Sequence, residues 1–309
     1  MRTLLLGAKG QLGLELAKLL PHLQLGEIHT KSRAELDLLD LNALDECLQT
    51  LKPQIVINAS AYTAVDQAQI HAHDAHMINH LVPERLALYA KTSQTVLVHY
   101  STDFVFDGTK RSPYIETDKT HPLNVYGQTK CLGEQSIQSS RCKHLIFRTG
   151  WLMGAEGQNF LKTMLLLASE KRQLKVVYDQ IGAPTSAKWL ADISTMALKS
   201  CLMKTENHAP PPWGLYHASS KGMTSWHAYA QEVISYAATL GAKFNLNPED
   251  VLPIPSVDYP LPATRPVYSV LDHKKLKATF GVEPPHWIDA VHKVLVEMAA
   301  SGHWRTSGN

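Results

Sequence analysis

The feature that most constrains this chain is a glycine loop near its start. Gly7-Ala8-Lys9-Gly10-Gln11-Leu12-Gly13 follows the apolar run Arg2 to Leu6 and opens the amphipathic run Gln11 to Leu20. Glycines at that spacing permit a tight turn and close backbone approach, and a helix that begins there offers unpaired N–H groups and a positive dipole end to an anion. On the first strand of a parallel sheet, such a turn accepts a dinucleotide pyrophosphate, with Gly7, Gly10, Gln11, Leu12 and Gly13 around it. Taken alone, the same spacing is also an ordinary β–α turn, so the surrounding pattern decides.

That pattern alternates. Apolar strands are expected at Arg2 to Leu6, Gln54 to Asn58, Thr95 to Tyr100 and His144 to Arg148, with helices at Gln11 to Leu20, Ala75 to Lys91 and Tyr126 to Ser139 between them. Strands separated by helices imply an α/β fold with a Rossmann-type, doubly wound parallel sheet that holds its ligand at the strand carboxyl ends. Beyond Trp151 the rhythm loosens into a helix near Asn159 to Glu170, a strand at Lys175 to Val177, a helix near Ala187 to Leu202 and a loop at Pro210-Pro211-Pro212. Gly214 to His217 is expected to rejoin the sheet. Residues 1–150 therefore read as an NAD(P)-binding domain, rejoined by about 175–220, and 151–309 as mainly a smaller, interleaved substrate-binding domain.

Composition narrows the partners. The 309 residues are 44% hydrophobic, enough for a large core, and 30 basic against 28 acidic side chains leave no bulk field to draw nucleic acid or an anionic membrane. Four cysteines (Cys47, Cys131, Cys142, Cys201) without C-x-x-C spacing suit a reducing cytoplasm rather than a disulfide scaffold. Leu4-Leu5-Leu6 is too short for the apolar core of a signal peptide, and no stretch approaches the ~18 apolar residues of a spanning helix. A cytoplasmic protein is the expectation.

An acidic residue roughly 20 positions after the glycine loop holds the adenosine ribose of NAD in many such folds. Here the second strand is expected to end at Ile28-His29-Thr30, with no carboxylate. Arg33, just beyond, suits a 2′-phosphate, so NADPH is as well supported as NADH, and a solvated loop charge is the other reading of Arg33. Asp37 belongs either against the adenine or in a plain helix-capping or loop role.

Of eleven tyrosines, only Tyr126 is followed four residues later by a lysine, Lys130. On a helix that spacing puts both side chains on one face. A cation that favours the phenolate moves a phenol from near pH 10 toward neutrality, at about 1.4 kcal/mol per unit. Such a phenol can protonate a carbonyl oxygen as hydride reaches the carbon. A surface helix pair has the same spacing, so the more informative segment is Val96 to Asp103, a buried strand that delivers the Thr102 hydroxyl to the ligand edge of the sheet. There it can stabilise charge on a substrate oxygen; Ser101 and Thr102 as caps of the following loop are the alternative.

At these residues the sequence resembles the dTDP-4-dehydrorhamnose reductases, extended short-chain dehydrogenases. The resemblance runs through Gly10 to Gly13, Asn58 to Asp66, His99 to Phe106, Pro122 to Gly127, Phe147 to Trp151, Asp179 to Thr185, Ala263 to Pro266 and Ser269 to Asp272. It implies Tyr126 as proton donor, Lys130 as the group that positions the nicotinamide ribose and lowers the tyrosine pKa, and Thr102 as a residue that tunes the site. Gly10, Gln11, Leu12, Asp37, Leu38, Ala61, Tyr62, Thr63 and Tyr100 fall at cofactor positions, and Thr102, Asp103 and Trp151 at substrate positions. Trp151 then offers a sugar its apolar face and indole N–H, although a lone tryptophan is more often core. Arg265 is a further candidate for the substrate diphosphate, its fork suiting phosphate oxygens, or else a structural ion-pair partner. The implied substrate is a dTDP-linked 4-keto-6-deoxysugar. Some members bind a divalent cation at a dimer contact through glutamates. Glu15 fits one such position but Lys188 stands where another glutamate is expected, so metal is expected to be absent or weak and a homodimer remains open.

Other readings carry less support. His71, His73, His76 and His80 around Asp74 suggest zinc, but no cysteine joins them. No G-x-S-x-G elbow supports a serine hydrolase. A regulatory protein similar to the beta subunit of methionine adenosyltransferase, or an extended-family sugar-nucleotide epimerase or dehydratase, shares the cofactor loop and is separated by net NAD(P)H consumption.

Overall fold

A computed structural model describes residues 1–206 and 210–302. Six strands form one parallel sheet: β1 (Arg2–Leu6), β2 (Glu27–Lys31), β3 (Ile55–Asn58), β4 (Val96–Thr102), β5 (Lys143–Thr149) and β6 (Gly214–His217). Their spatial order is β6-β5-β4-β3-β1-β2. The chain winds outward to β2 on one side of β1 and to β3, β4 and β5 on the other, so the direction of winding reverses between β1 and β3. At such a switch point the loops leave a crevice at the carboxyl ends of the strands.

The strand residues are apolar on both faces because helices cover both. Leu5, Ile57, Val98 and Phe147 pack with α1 (Gln11–Leu19) and α6 (Ala187–Glu206) on one side. Leu4, Leu6, Val56, Leu97 and Ile146 point the other way, toward α2 (Leu41–Leu51), α3 (Val82–Thr92) and α4 (Val125–Ser140). A second core joins α5 (Phe160–Glu170), α7 (Trp226–Thr239) and α8 (Trp287–Ala300) to the parallel strand pair Leu174–Val177 and Val251–Ile254. No helix among the described residues is long and apolar enough to cross a membrane.

Several elements depart from the sequence expectation. The helix expected over Ala75 to Lys91 is interrupted by a π-helical turn at Met77–Leu81. The wider turn carries Asn79, which is buried and bonded to a neighbouring loop and helix; single π-turns of this kind accompany functional sites. Helix α2 was not anticipated, and its cap is Asp40, which accepts from the amides of Asn42 and Ala43. Asp37 instead accepts from the Leu39 amide in the preceding turn. Helix α7, capped by Ser225, was also not anticipated.

Candidate active site

The glycine loop leaves β1 and turns into α1 beneath a continuous cleft. Gly7 has φ +77°, and a Cβ there would lie 2.7 Å from the Ser60 amide nitrogen. At Gly13 a Cβ would lie 2.1 Å from the Gly7 carbonyl oxygen, so α1 rests directly on the loop. Gly10 begins α1 without a side-chain cap. This is a cradle that side chains would fill, at a helix start whose amides no side chain satisfies, and it fits a pyrophosphate.

One end of the cleft is lined by Gly7, Gly10, Arg33, Asp37, Leu38, Ala61 and Tyr62, with Lys9 and Lys31 adding positive charge. The other end is lined by Gln11, Leu12, Thr63, Tyr100, Thr102, Asp103, Tyr126, Lys130, Trp151 and Arg265. Gly10 and Ala61 border both ends. Of the residues expected from the sequence, Gly13 alone lines neither, because it lies under Gly7.

Tyr126 stands in the first turn of α4. Asn124 caps that helix by accepting from the Gly127 amide at 2.8 Å, and a Cβ on Gly127 would meet the Phe104 carbonyl oxygen at 2.2 Å. The close approach brings the phenol to Thr102, which ends β4. Burial pushes the Tyr126 phenol up to about 12, a hydrogen bond with Thr102 pulls the other way, and Asp103 raises it. Lys130 is not among the causes of this shift. The Lys130 Nζ donates to the Tyr100 carbonyl oxygen at 2.5 Å and lies 3.2 Å from His99 Nε2. Lys130 is itself lowered by burial to about 8, with Glu134 opposing that shift. Asp103 is raised by burial to about 7 although Ser269 donates its hydroxyl to it.

At the Tyr126 end of the cleft, Trp151 stacks on Trp226 with centroids 3.5 Å apart and planes 8° from parallel. One face expected to be open is therefore covered, and a Cβ on Gly182 would lie 2.7 Å from the indole nitrogen. Trp151 holds φ +48°, a left-handed conformation that costs a bulky residue about 1–3 kcal/mol and persists only when its surroundings impose it. The Arg265 fork, expected to be open for a diphosphate, is engaged: Nη2 donates to Asp66 Oδ2 at 2.6 Å and Nη1 to Asp66 Oδ1 at 3.1 Å and the Ala263 carbonyl at 2.8 Å. The Ser101 and Thr149 hydroxyls, on the facing ends of β4 and β5, are buried without a partner in the same cleft.

Several residues of the site were not singled out from sequence. His99 lies behind Lys130. Asn79 accepts from the Tyr62 amide and donates to Thr129, pinning the cofactor loop to α4. Trp226 follows Thr224 and Ser225 in a segment without strong periodicity, and its only sequence signal is its residue type. Of the groups weighed for a cation, Glu15 accepts from Lys18 and Lys188 donates to Asp192, each within its own helix. His76 meets His80 ring to ring.

Comparisons with known proteins cover nearly the whole chain. The family described as RmlD substrate binding domain matches residues 1–300. The dTDP-4-dehydrorhamnose reductase of Burkholderia thailandensis is 44% identical over 292 residues, covering 94% of this chain and 97% of that protein. The crystal structure of a dTDP-4-dehydrorhamnose reductase from Clostridium acetobutylicum ATCC 824 aligns with a TM-score of 0.85 at 34% identity, over 96% of this chain and 99% of that one. That of the Bacillus anthracis str. Ames reductase, in complex with NADP, aligns with a TM-score of 0.80 at 32% identity over 96% and 99% of the two chains. Matched from the glycine loop through to its last helix, the chain belongs to the family of dTDP-4-dehydrorhamnose reductases.

Proposed function

We propose that this chain reduces the 4-keto group of dTDP-4-dehydro-6-deoxy-L-mannose with NAD(P)H to give dTDP-L-rhamnose. The observation that carries the reading is the convergence of Tyr126, Thr102 and Lys130 on a cleft that continues into the glycine loop. A reduced nicotinamide bound there supplies the hydride. The chain supplies the rest. Tyr126, held up at about 12, keeps its proton at neutral pH and gives it to the oxygen that becomes an alkoxide as C4 is reduced. Thr102 offers a hydroxyl to the same oxygen, and as a preorganised donor it needs no rearrangement when charge develops. The Trp151–Trp226 stack gives the sugar an apolar wall.

Lys9, Lys31 and Arg33 around the adenosine end favour a 2′-phosphate, so NADPH is the preferred reductant in this reading. None of the four cysteines is in a disulfide, which suits the cytoplasm.

The test follows NADPH and NADH oxidation with freshly generated sugar nucleotide. Tyr126→Phe is expected to lower kcat by about 10²–10⁴-fold while leaving cofactor affinity unchanged. Binding of cofactor without net oxidation would sink the reductase reading in favour of an epimerase, a dehydratase or a regulatory protein.

A further inference from the structure

The chain crosses from one core to the other at Trp151. It leaves β5 at Thr149 and enters Leu152–Met153, which pairs with Thr185–Ser186 and not with the six-stranded sheet. The reversal puts Trp151 at φ +48°, a conformation that a bulky residue holds only under outside constraint. Trp226 and Gly182 supply that constraint. Trp226 lies parallel to the indole with centroids 3.5 Å apart. On Gly182 a Cβ would lie 2.6 Å from the indole Cε2 and 2.7 and 2.8 Å from its neighbours Nε1 and Cζ2, closer to the inner atom than to either outer one. Such a point lies over the ring, and the space over the other face is filled by Trp226. The two jaws are tied together. Thr224 pairs antiparallel with Gly182, and Ser225, next in sequence, caps α7 by accepting from the Ala228 amide at 3.1 Å, which fixes Trp226 as the first residue of that helix. Phe160, at the start of α5, closes on Trp226 with centroids 4.6 Å apart.

We propose that Trp226 and Gly182 are positioning residues for the substrate's sugar, a clamp that holds the Trp151 indole edge-on to the cleft. The proposal rests on the reading that a nucleotide-linked sugar occupies the Tyr126 end of that cleft, which both tryptophans line. With both faces covered, the indole offers the sugar its rim. The rim hydrogens of an aromatic ring carry partial positive charge and the face partial negative, so the rim suits hydroxyl oxygens, whereas an open face would suit the C–H side of a pyranose. Selection then falls on where the sugar hydroxyls lie, and Trp226 acts on it through the angle at which it holds Trp151. Gly182 is required for the same reason. A side chain there would drive the indole against Trp226, which is itself backed by Phe160, or out into the cleft.

The test reads the clamp first without substrate. In ¹H–¹⁵N spectra the Trp151 indole resonance, assigned by its loss in Trp151→Phe, is expected upfield of free tryptophan because the neighbouring ring shields it, and is expected to move downfield in Trp226→Ala. Trp226→Leu keeps apolar volume without a stacking face; it gives the same movement and serves if Trp226→Ala fails to fold. Trp226→Phe restores a ring and keeps the resonance upfield. Titration calorimetry on the NADP-loaded protein then compares dTDP-L-rhamnose with dTDP. Loss of the stack is expected to weaken the sugar nucleotide about tenfold and to leave dTDP unchanged, with Trp226→Phe returning most of the affinity. In turnover the same loss raises KM for the sugar nucleotide and leaves KM for NADPH where it was. A Trp151 resonance that neither Trp226→Ala nor Trp226→Leu moves overturns the proposal, as does equal weakening of dTDP and dTDP-L-rhamnose. A resonance that moves as expected, in protein that binds dTDP-L-rhamnose no more tightly than dTDP, upholds the clamp on Trp151 and rejects the assigned substrate.

Discussion

Asp103 shows how much a single residue owes to its surroundings. It lies 3% exposed between the Ser269 hydroxyl and the Gly150 backbone, where a Cβ would come within 2.6 Å of its carboxylate oxygen. Burial raises it to about 7, above the 3.8 of an open chain. The folded protein therefore binds the proton more tightly than the unfolded one, and the stability this adds is fully present below pH ~4 and lost as the pH rises through 7. Asp103→Asn stays neutral throughout and still accepts from Ser269. It is expected to raise Tm by several degrees at pH 8 and to leave Tm unchanged at pH 4, read by calorimetry at both. An equal shift at the two pH values would show that the carboxyl is charged in the folded protein throughout. Asp103 is legible in the sequence as a residue at the end of a buried strand. Its proton is not, because the burial that holds it on arises only in the folded chain and acts against the hydrogen bond from Ser269, 166 residues away.

At the scale of elements, the strands and the helices on either side of the site follow from local pattern. β1 and β6 fall at the expected residues, and α1 and α4 within a residue or two, since apolar runs and a 3.6-residue period survive in any context. α2 carries its buried Leu44 and Leu48 on one face and begins at an aspartate cap, so its signal was present at Asp40. The π-turn at Met77–Leu81 has no such signal, because it exists to bring Asn79 against Tyr62 and Thr129. The contact of α1 with the glycine loop can be tested directly. Gly13→Ala adds a Cβ against backbone at 2.1 Å, where no flexible side chain can give way. Urea unfolding is expected to show a loss of about 1–3 kcal/mol, and fluorescence titration at least a tenfold weaker NADPH affinity as α1 moves off its seat. Full affinity in the variant would mean that the helix start does not hold the pyrophosphate.

The whole molecule is closed across the cleft by contacts between distant parts of the chain. Asp66, beside the cofactor loop, holds Arg265 through both guanidinium nitrogens and also accepts from the Ala263 amide. Asn124, while capping α4, donates to the Thr264 carbonyl at 2.7 Å. The segment around Arg265 is thereby fixed to both Asp66 and the start of α4. Arg265→Ala is expected to raise KM for the sugar nucleotide about tenfold, to change KM for NADPH little, and to speed protease cleavage between residues 255 and 268. Equal increases in both KM values would place Arg265 in general folding rather than in holding the substrate side of the cleft.

The sequence by itself determined the parallel sheet, the glycine cradle, and the pairing of Tyr126 with Lys130, because each depends on residue types at fixed short spacings that force a turn or share a helix face. It also supplied the cleft-lining residues at the ends of β1, β3 and β4, since strand ends in such a sheet meet at one edge. Only the tertiary structure decided what those residues are bonded to. Trp151 is backed by Trp226, Arg265 is engaged by Asp66, and Lys130 meets His99 and the Tyr100 carbonyl. Each partner lies 30 or more residues away along the chain, where spacing carries no information. Hydrogen-bond direction and burial, which set proton affinities, arise only when those partners are brought together.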